Sequence, residues 1–290
     1  MPESPRDIRR RIRATKNMAQ ITRAMQQVAT ARLRRSQSRV SEARPYSESI
    51  REVLAGLATS QSSEVTHPLL VQRDEVRRVG IVEVTPDRGL CGGLITNVNR
   101  AVNRFVLEQS APVRAYAIGR RGRDFLRRNG VDLGGEEIGM GDYPDLDRVL
   151  GLARLVMDQY ADGSVDRVYL AYTRFVSTVR QEPVVIQLIP VQAPERKEGE
   201  EQPVAYNYEY EPSAADVLDS LLPRYVEVQI YQAVLESKAS EQAARLVAMR
   251  NATDNANDLA ADLTLNLNKA RQAQITTEIS EIAAGAEALA

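Results

Sequence analysis

Residues 223 to 285 read PRYVEVQIYQAVLESKASEQAARLVAMRNATDNANDLAADLTLNLNKARQAQITTEISEIAAG, and this stretch decides the fold. Between Pro223 and Gly285 lie sixty-one positions without another proline or glycine. Proline suits the first turn of a helix and glycine suits its end, so the stretch predicts one long helix that opens at Pro223. At about 1.5 Å per residue this helix is roughly 90 Å long, which exceeds the width of a compact domain. We therefore expect it to project from the rest of the protein.

The small and apolar residues of this stretch recur in alternating steps of three and four. They are Leu246, Met249, Thr253, Ala256, Ala260, Leu263, Leu267 and Ala270, followed after a slip of one position by Ile275, Ile279 and Ile282. Such a stripe is typical of a coiled coil, in which a second helix covers it. Because an isolated helix gains little from helix propensity alone, a partner helix is needed.

The N-terminal stretch offers that partner helix. Residues 6 to 44 again lack proline and glycine, and helical spacing relates Ile8, Ile12, Met18, Ile21, Met25 and Val28. Residues 1 to 45 carry twelve basic and three acidic side chains, a net charge of +9, whereas residues 213 to 290 carry six and eleven, a net charge of −5. Opposite charges favour pairing of the two helices, so we predict an antiparallel coiled coil of the two chain ends.

The middle of the chain predicts a globular α/β domain over residues 75 to 192. Short β-branched runs predict strands at 79–84, 113–118, 165–173 and 184–189, and helical patterns predict helices from Leu94 onward and at 122–129 and 146–160. Alternating strands and helices are typical of a Rossmann-like, largely parallel sheet, with room for one antiparallel edge. The fold class is therefore α/β plus long helices, with the α/β domain inserted between the two helices of a coiled coil.

The remaining segments complete the predicted domain organisation. Continued apolar spacing past Pro45 extends the first helix over residues 1–57, and a polar, turn-rich connector follows it. Residues 193–212 form a charged linker that ends in an aromatic and acidic cluster. Residues 213–290 form the second coiled-coil segment, with Ser213 as a helix N-cap and a short helix ahead of Pro223.

Composition excludes several classes of protein. A single cysteine, Cys91, rules out an internal disulfide and favours a reducing compartment. No apolar run approaches the eighteen or so residues that cross a bilayer, so no segment is predicted to span a membrane. The near-zero net charge of −1 conceals a strong asymmetry between the chain ends, which points to binding partners.

Few residues suggest catalysis or a metal. The loop at residues 87 to 93, DRGLCGG, follows a strand and precedes a helix, where nucleotide-binding folds hold phosphate, but it matches no phosphate-binding motif. We favour a structural role for its glycines, with a nucleotide-using enzyme as the alternative. The only histidine, His67, has no second ligand nearby in the sequence and is predicted to lie on the surface, and Cys91 is predicted to be a buried packing residue. No cofactor or metal site is predicted.

The basic N-terminal helix leaves a nucleic-acid-binding protein as a further alternative. Its Arg9, Arg10, Arg11, Arg13, Lys16, Arg32, Arg34, Arg35 and Arg39 could neutralise phosphates along a helix. However, no aromatic residue precedes Tyr46, and the acidic C-terminal helix already complements this charge. We therefore favour a solvated outer face of the coiled coil.

Four motifs resemble one known family over essentially the whole chain. They are IRRRIRATKNMAQITRAMQQVATARLRRSQ at 8–37, TPDRGLCGGL at 85–94, SEQAARLVAMRNATDNA at 240–256 and NKARQAQITTEISEIAAGAEAL at 268–289. In this order they are similar to the gamma subunit of F-type ATP synthases. The resemblance implies a non-catalytic central-stalk rotor that couples ion flow to ATP synthesis or hydrolysis. It also implies the partners, namely the alpha3beta3 hexamer, the epsilon subunit and the ring of c subunits, at the cytoplasmic face of a bacterial membrane, with membrane contact only through those partners.

The resemblance also implies roles for individual residues. Positions that match the contact and coupling regions with the catalytic subunits are Met25, Glu241, Arg245, Lys269, Arg271, Gln272 and Thr276. Glu241 and Arg245 are also spaced as an ordinary helix ion pair. Positions that match the foot on the c ring and epsilon are Tyr208, Glu209 and Glu211. The two-cysteine redox insert of chloroplast members is missing from this sequence, so thiol control of that kind is not expected.

Overall fold

The computed structural model describes residues 4–59, 67–192 and 213–289. The chain packs as two compact units. One unit comprises residues 1–29 and 245–290, and the other comprises residues 30–244. The two terminal helices contribute to both units, because α1 spans Pro5–Thr59 and α5 spans Ala214–Leu289.

The two long helices predicted from the sequence are confirmed, but α5 begins earlier than expected. Pro223 does not open this helix, because it lies inside the continuous segment Ala214–Leu289. The start is fixed by Ser213, whose Oγ accepts a hydrogen bond from the Asp216 amide at 3.2 Å and donates one to the Asp216 carboxylate at 2.6 Å. Ser213 is therefore the N-cap, as predicted. Pro223 is tolerated inside the helix because its neighbours Leu222 and Val226 are fully buried and hold this segment in place.

The first unit is an antiparallel pair of helices. Thr253 donates a hydrogen bond to the Met249 carbonyl at 2.8 Å, so its oxygen can accept from the Thr22 hydroxyl, 2.7 Å away. Thr22 lies seventeen positions after Pro5, where α1 begins, and Ala270 lies seventeen positions after Thr253. Ala270 is the last residue of α5 that is shielded from solvent, among residues 214–286 with a described side chain. The shielding of α5 from solvent therefore ends opposite the first residue of α1, as expected if the two helices are antiparallel.

The buried stripe of α5 is the predicted one as far as Ala270, whereas that of α1 agrees with the prediction only at Ile8 and Ile12. On α5, Met249, Thr253, Ala256, Ala260 and Leu263 are buried. The stripe of α1 that is buried or half-buried follows equally regular steps of three and four, and it consists of Ile8, Ile12, Thr15, Ala19, Thr22, Gln26, Ala29 and Leu33. The predicted members Met18, Ile21 and Val28 are instead 48–55% exposed. Small residues at the contact let the helix axes approach closely, so the larger side chains lie on an adjacent stripe.

The second unit is built on a five-stranded sheet of order β3-β2-β1-β4-β5. The strands are β1 Val79–Val84, β2 Val113–Ile118, β3 Asp132–Glu137, β4 Arg167–Phe175 and β5 Gln181–Ile189. The helices between them are α2 Leu94–Glu108, α3 Arg120–Arg128 and α4 Leu146–Ala161. All neighbouring strands are parallel except β4 and β5, which confirms a Rossmann-like sheet with one antiparallel edge. The glycine-rich β3 was not predicted.

Each face of the sheet has its own apolar core. On one face, β1 and β2 side chains such as Ile81 and Ala117 pack with Val102 of α2 and Leu126 of α3. On the other face, a larger core joins the sheet to α4 and to both long helices. The long helices contribute Ile50, Leu54, Leu222, Val226, Ile230, Ala233 and Val234 to it. The segments of both long helices that belong to this unit are therefore part of the core that supports the sheet.

Polar contacts tie the connector after α1 to this unit. Asp166 is 1% exposed and accepts hydrogen bonds from the amides of Arg77 and Arg78 and from the Arg73 guanidinium. Burial alone would raise the pKa of Asp166, but these donors outweigh it and lower the pKa. The carboxylate therefore acts as an ionised anchor for the connector.

His67 is buried, so the prediction of a surface histidine is wrong. It is 8% exposed, and its Nδ1 accepts a hydrogen bond from the Leu69 amide at the start of a short 3-10 helix, Pro68–Leu70. Its Nε2 lies 3.6 Å from the carboxylate of Asp219 on α5. Desolvation lowers the pKa of His67 despite the opposing influence of Asp219. A neutral ring suits the Nδ1 acceptor, and the residue has a structural role.

Candidate functional site

The carboxyl edge of the sheet is where a fold of this type binds nucleotides. Strand order reverses between β1 and β4, and ligands of doubly wound sheets bind in the crevice outside the carboxyl ends of such strands. Here α5 packs at this edge. Ser240 donates a hydrogen bond to the Thr173 carbonyl of β4 at 3.1 Å, and the Thr173 amide donates to Ser237 at 3.3 Å.

A shallow recess lies between α5 and the loop that follows β1. Its lining includes Thr85, Asp87, Lys238 and Glu241. The only cation of the lining, Lys238, forms a buried ion pair with Glu241 at 3.2 Å. A phosphate would have to compete with the Glu241 carboxylate for this ammonium group.

The backbone amides at the start of α3 also have partners already. The Arg120 amide donates to the Asp87 carboxylate at 3.0 Å, the Arg121 amide to the Pro86 carbonyl at 3.2 Å and the Gly122 amide to the Thr85 hydroxyl at 2.7 Å. Anion sites at helix N-termini need such amides to be available. The geometry therefore argues against a nucleotide site at this helix.

The motif loop at residues 87 to 93 is instead a structural support. Gly92 has a φ of 58°, which glycine adopts easily, and Cys91 is 1% exposed, as predicted for a packing residue. Asp87 also accepts a hydrogen bond from the Gly139 amide at 3.0 Å, so one carboxylate joins this loop to the loop after β3. Polar residues of the motif thus position neighbouring loops.

Three arginine side chains of α1 contact the loop that follows β3. Arg32 pairs with Asp142 at 2.9 Å, Arg35 donates a hydrogen bond to the Tyr143 hydroxyl at 2.7 Å, and the Arg39 guanidinium lies 4.6 Å from the centre of the Tyr143 ring. The hydrogen bond raises the pKa of Arg35. These three arginines, which the sequence suggested as a charged outer face, have partners within their own unit. They are therefore less suited to bind nucleic acid.

The coupling residues expected from the resemblance fall into two groups. Glu241 and Arg245 are buried, at 4% and 9% exposure, and Glu241 pairs with Lys238. Lys269, Arg271, Gln272 and Thr276 are exposed on the part of α5 that approaches and passes the start of α1, and Met25 is half-buried. The second group is thus accessible to a partner protein.

Large apolar side chains are exposed on the first unit. Met18, Ile21 and Val28 of α1 are joined by residues of α5 that are 46–72% exposed, namely Leu259, Leu265, Ile275, Ile279 and Ile282. The isoleucines were predicted as a continuation of the buried stripe, but α1 does not extend far enough to cover them. Exposed apolar side chains that recur along one helix are typical of protein contacts.

The expected foot residues Tyr208, Glu209 and Glu211 lie outside the described residues. Within the described ranges, no group of histidine, cysteine or carboxylate side chains could hold a metal ion. None of the described helices combines the length and the apolar character that a bilayer crossing requires.

Comparison with known proteins decides the family. The family model described as ATP synthase matches residues 4–289. An ATP synthase gamma chain of Dehalococcoides mccartyi is 50% identical over 286 residues, which cover 98% of this chain and 99% of the relative. The chain belongs to the ATP synthase gamma-chain family. A gamma chain of Chloroflexus aurantiacus is likewise 50% identical over 293 residues, which cover 100% of this chain and 99% of that gamma chain.

Chains in solved ATP synthase structures have a similar fold. A chain from the Euglena gracilis mitochondrial ATP synthase, in a structure of OSCP, F1 and c-ring, has a TM-score of 0.68 at 19% identity and covers 98% of this chain and 94% of its own length. A chain from the central stalk and c-ring of the Tetrahymena thermophila enzyme has a TM-score of 0.60 at 23% identity and covers 80% and 99%. At these identities, the likeness concerns the fold.

Proposed function

We propose that this chain is the central-stalk rotor subunit of an F-type ATP synthase. In this role it transmits torque between a membrane ring of c subunits and an alpha3beta3 hexamer. The observation that carries the proposal is the antiparallel coiled coil with exposed apolar stripes, in a chain 50% identical to gamma chains over almost its full length. The chain catalyses no reaction itself, and the ATP sites belong to the hexamer.

Energetics explain why such a shaft is needed. One elementary charge that crosses 100 mV releases about 2.3 kcal/mol, so the energy of several ions must be pooled to make one ATP. A rotating shaft combines the energy of successive ions and transmits it as torque. Three identical catalytic subunits can occupy different states at once only if they make different contacts with an asymmetric partner. One chain folded back on itself provides that asymmetry.

The proposed partners are the alpha and beta subunits, epsilon and the c ring. The exposed residues Lys269, Arg271, Gln272 and Thr276 would contact the catalytic subunits, with Met25 on α1. Buried Glu241 and Arg245 would contribute to coupling, and Tyr208, Glu209 and Glu211 would form the foot. The expected domain limits at 1–57, 75–192, 193–212 and 213–290 remain part of the proposal. The chain would lie at the cytoplasmic face of a bacterial membrane and contact it only through its partners.

Purification of the tagged full-length chain from native membranes tests the proposal. We expect co-isolation with an ATPase hexamer and c subunits, and ATPase activity in the eluate. Washing at low ionic strength should release the chain together with the hexamer, because its attachment is peripheral. Recovery of the chain without hexamer subunits under mild detergent would overturn the proposal.

A further inference from the structure

Glu83 is a carboxylic acid inside an apolar layer. It lies in β1, the central strand of the sheet, on the face that α2 and α3 cover, and it is 0% exposed. On the neighbouring strands it is flanked by Ala117 of β2 and Ala171 of β4. Carboxylates are almost never fully buried without a partner, so this position needs an explanation.

The partners of Glu83 do not balance a negative charge. Its Oε1 accepts one hydrogen bond, at 3.0 Å from the Asn99 amide in the orientation that also lets this amide donate to the Ile95 carbonyl. Its Oε2 has no hydrogen-bond partner among the described residues.

The charged side chains of the covering helices do not face Glu83 either. On α3, the half-buried Arg123 pairs with Asp124 and Glu136. The other charged side chains of α2 and α3 are exposed, and they are Arg100, Arg104, Glu108, Arg120, Arg121, Arg127 and Arg128. Among the described residues, an ionised Glu83 would thus have one amide and no cation to stabilise it.

The first turn of α3 lies directly over this carboxyl group. A Cβ at Gly122 would come within 2.8 Å of both Glu83 Oε2 and Thr85 Oγ1, so any other residue there would displace these side chains. The Gly122 amide donates to the same Thr85 hydroxyl at 2.7 Å. At this contact between β1 and α3, Gly122 therefore lies directly beside the carboxyl oxygen of Glu83 that would carry a negative charge.

We propose that Glu83 is a proton-sensitive contact: its protonated form holds the first turn of α3 against β1, and loss of the proton loosens that turn. Burial raises the pKa of Glu83 from 4.5 to about 8, so the acid is largely neutral at pH 7. Once the turn opens and water reaches the carboxyl, its pKa returns to the ordinary range. Opening is therefore favoured as pH rises from about 4.5 to about 8, and this dependence levels off above pH 8.

Hydrogen exchange of the α3 amides in the full-length chain tests this proposal. After correction for intrinsic exchange, we expect the opening constant of the wild-type turn to rise between pH 6 and 8, by up to about tenfold per pH unit. In Glu83→Gln, which mimics the protonated acid, the opening constant should be independent of pH. The matched control Glu108→Gln changes an exposed carboxylate at the end of α2 and should behave like wild type. Parallel pH profiles for wild type and Glu83→Gln would overturn the proposal.

A second measurement does not depend on the variant folding. The infrared spectrum of the wild-type chain with isotopically labelled glutamate should contain a protonated-carboxyl band at pH 7 that disappears above about pH 9. A spectrum at pH 7 without a protonated carboxyl would show that Glu83 is ionised, and it would equally overturn the proposal.

Discussion

Thr85 and Asp87 show how single side chains fix the loop after β1. Both accept hydrogen bonds from amides in the first turn of α3, and the Asp87 carboxylate also binds the Gly139 amide. The sequence predicted the structural role of this loop and the burial of Cys91 from residue type and glycine content. It could not predict the burial of His67, because the contact with Asp219 joins positions that are more than a hundred residues apart in sequence.

At Gly119, an added methyl group should be strongly destabilising. This residue has a φ of 99°, and a Cβ there would lie 1.9 Å from the Thr85 carbonyl oxygen. We expect Gly119→Ala to lower the free energy of unfolding by roughly 3 kcal/mol or more, because backbone must move. Gly130→Ala is the control, since Gly130 also has a positive φ but open space around it, and should cost about 1 kcal/mol. Similar losses in denaturant titrations of the two variants would contradict the steric explanation.

Replacement of Asp166 should show how much its ionised carboxylate contributes to the free energy of unfolding. Asp166→Asn weakens three hydrogen bonds and leaves Arg73 without its charge partner, so we expect a loss of roughly 2–4 kcal/mol at pH 7. Because the folded pKa of Asp166 is lowered, its contribution is present above the unfolded pKa and is lost as pH falls through the folded pKa. The difference between wild type and variant in urea unfolding should therefore shrink below about pH 4. A constant difference down to pH 2 would argue against this linkage.

For the helices and strands, sequence patterns were a better guide than the size of individual side chains. The long helices followed from long runs without proline or glycine, four of the five strands from β-branched runs, and the stripe of α5 up to Ala270 from spacing. The α1 stripe was assigned to large apolar residues, yet the structure buries Ala19, Thr22 and Ala29 on the adjacent stripe. Close packing of two helices selects small side chains, which carry little hydrophobic signal. Strand β3 was missed because DLGGEE contains no β-branched or aromatic residue.

A larger side chain in the α1 stripe should separate the paired helices. Ala19 is 8% exposed in the coiled coil, so Ala19→Leu should cost about 1–3 kcal/mol through overpacking. The matched control is Gln20→Leu at the next, exposed position, which should change the midpoint of thermal unfolding little. Equal effects of the two substitutions would mean that the buried stripe of α1 has been assigned to the wrong face.

For the whole molecule, the proposed function places activity in the assembled complex. The family was evident from four motifs, because they occur in order over almost the whole chain. The contact residues were inferred only from their match to the family. The sequence of one chain does not contain the surfaces of the partner chains that these residues would touch. Of these residues, Lys269, Arg271, Gln272 and Thr276 are exposed on α5, as a contact with a partner protein requires.

Removal of two exposed side chains should weaken coupling without unfolding the chain. In a reconstituted ATP synthase, we expect Arg271→Ala combined with Gln272→Ala to lower coupled ATPase activity roughly two- to thirtyfold, the range that coupling changes of about 0.5–2 kcal/mol produce. Both residues are exposed, so circular dichroism and thermal unfolding of the free chain should not change. Arg104→Ala, which removes an exposed arginine from α2, is the control. Unchanged turnover in the double variant would contradict the placement of these residues at the contact.

The shared core has a consequence for how the protein is made. The sheet face that carries Val82 and Leu170 is closed by Leu222, Val226 and Ile230 of α5, which are translated after every strand. During synthesis, the part of this face that α5 covers stays exposed until residues 222–230 have left the ribosome. A nascent chain stalled near residue 200 should therefore bind chaperones, whereas one released at full length closes its own sheet.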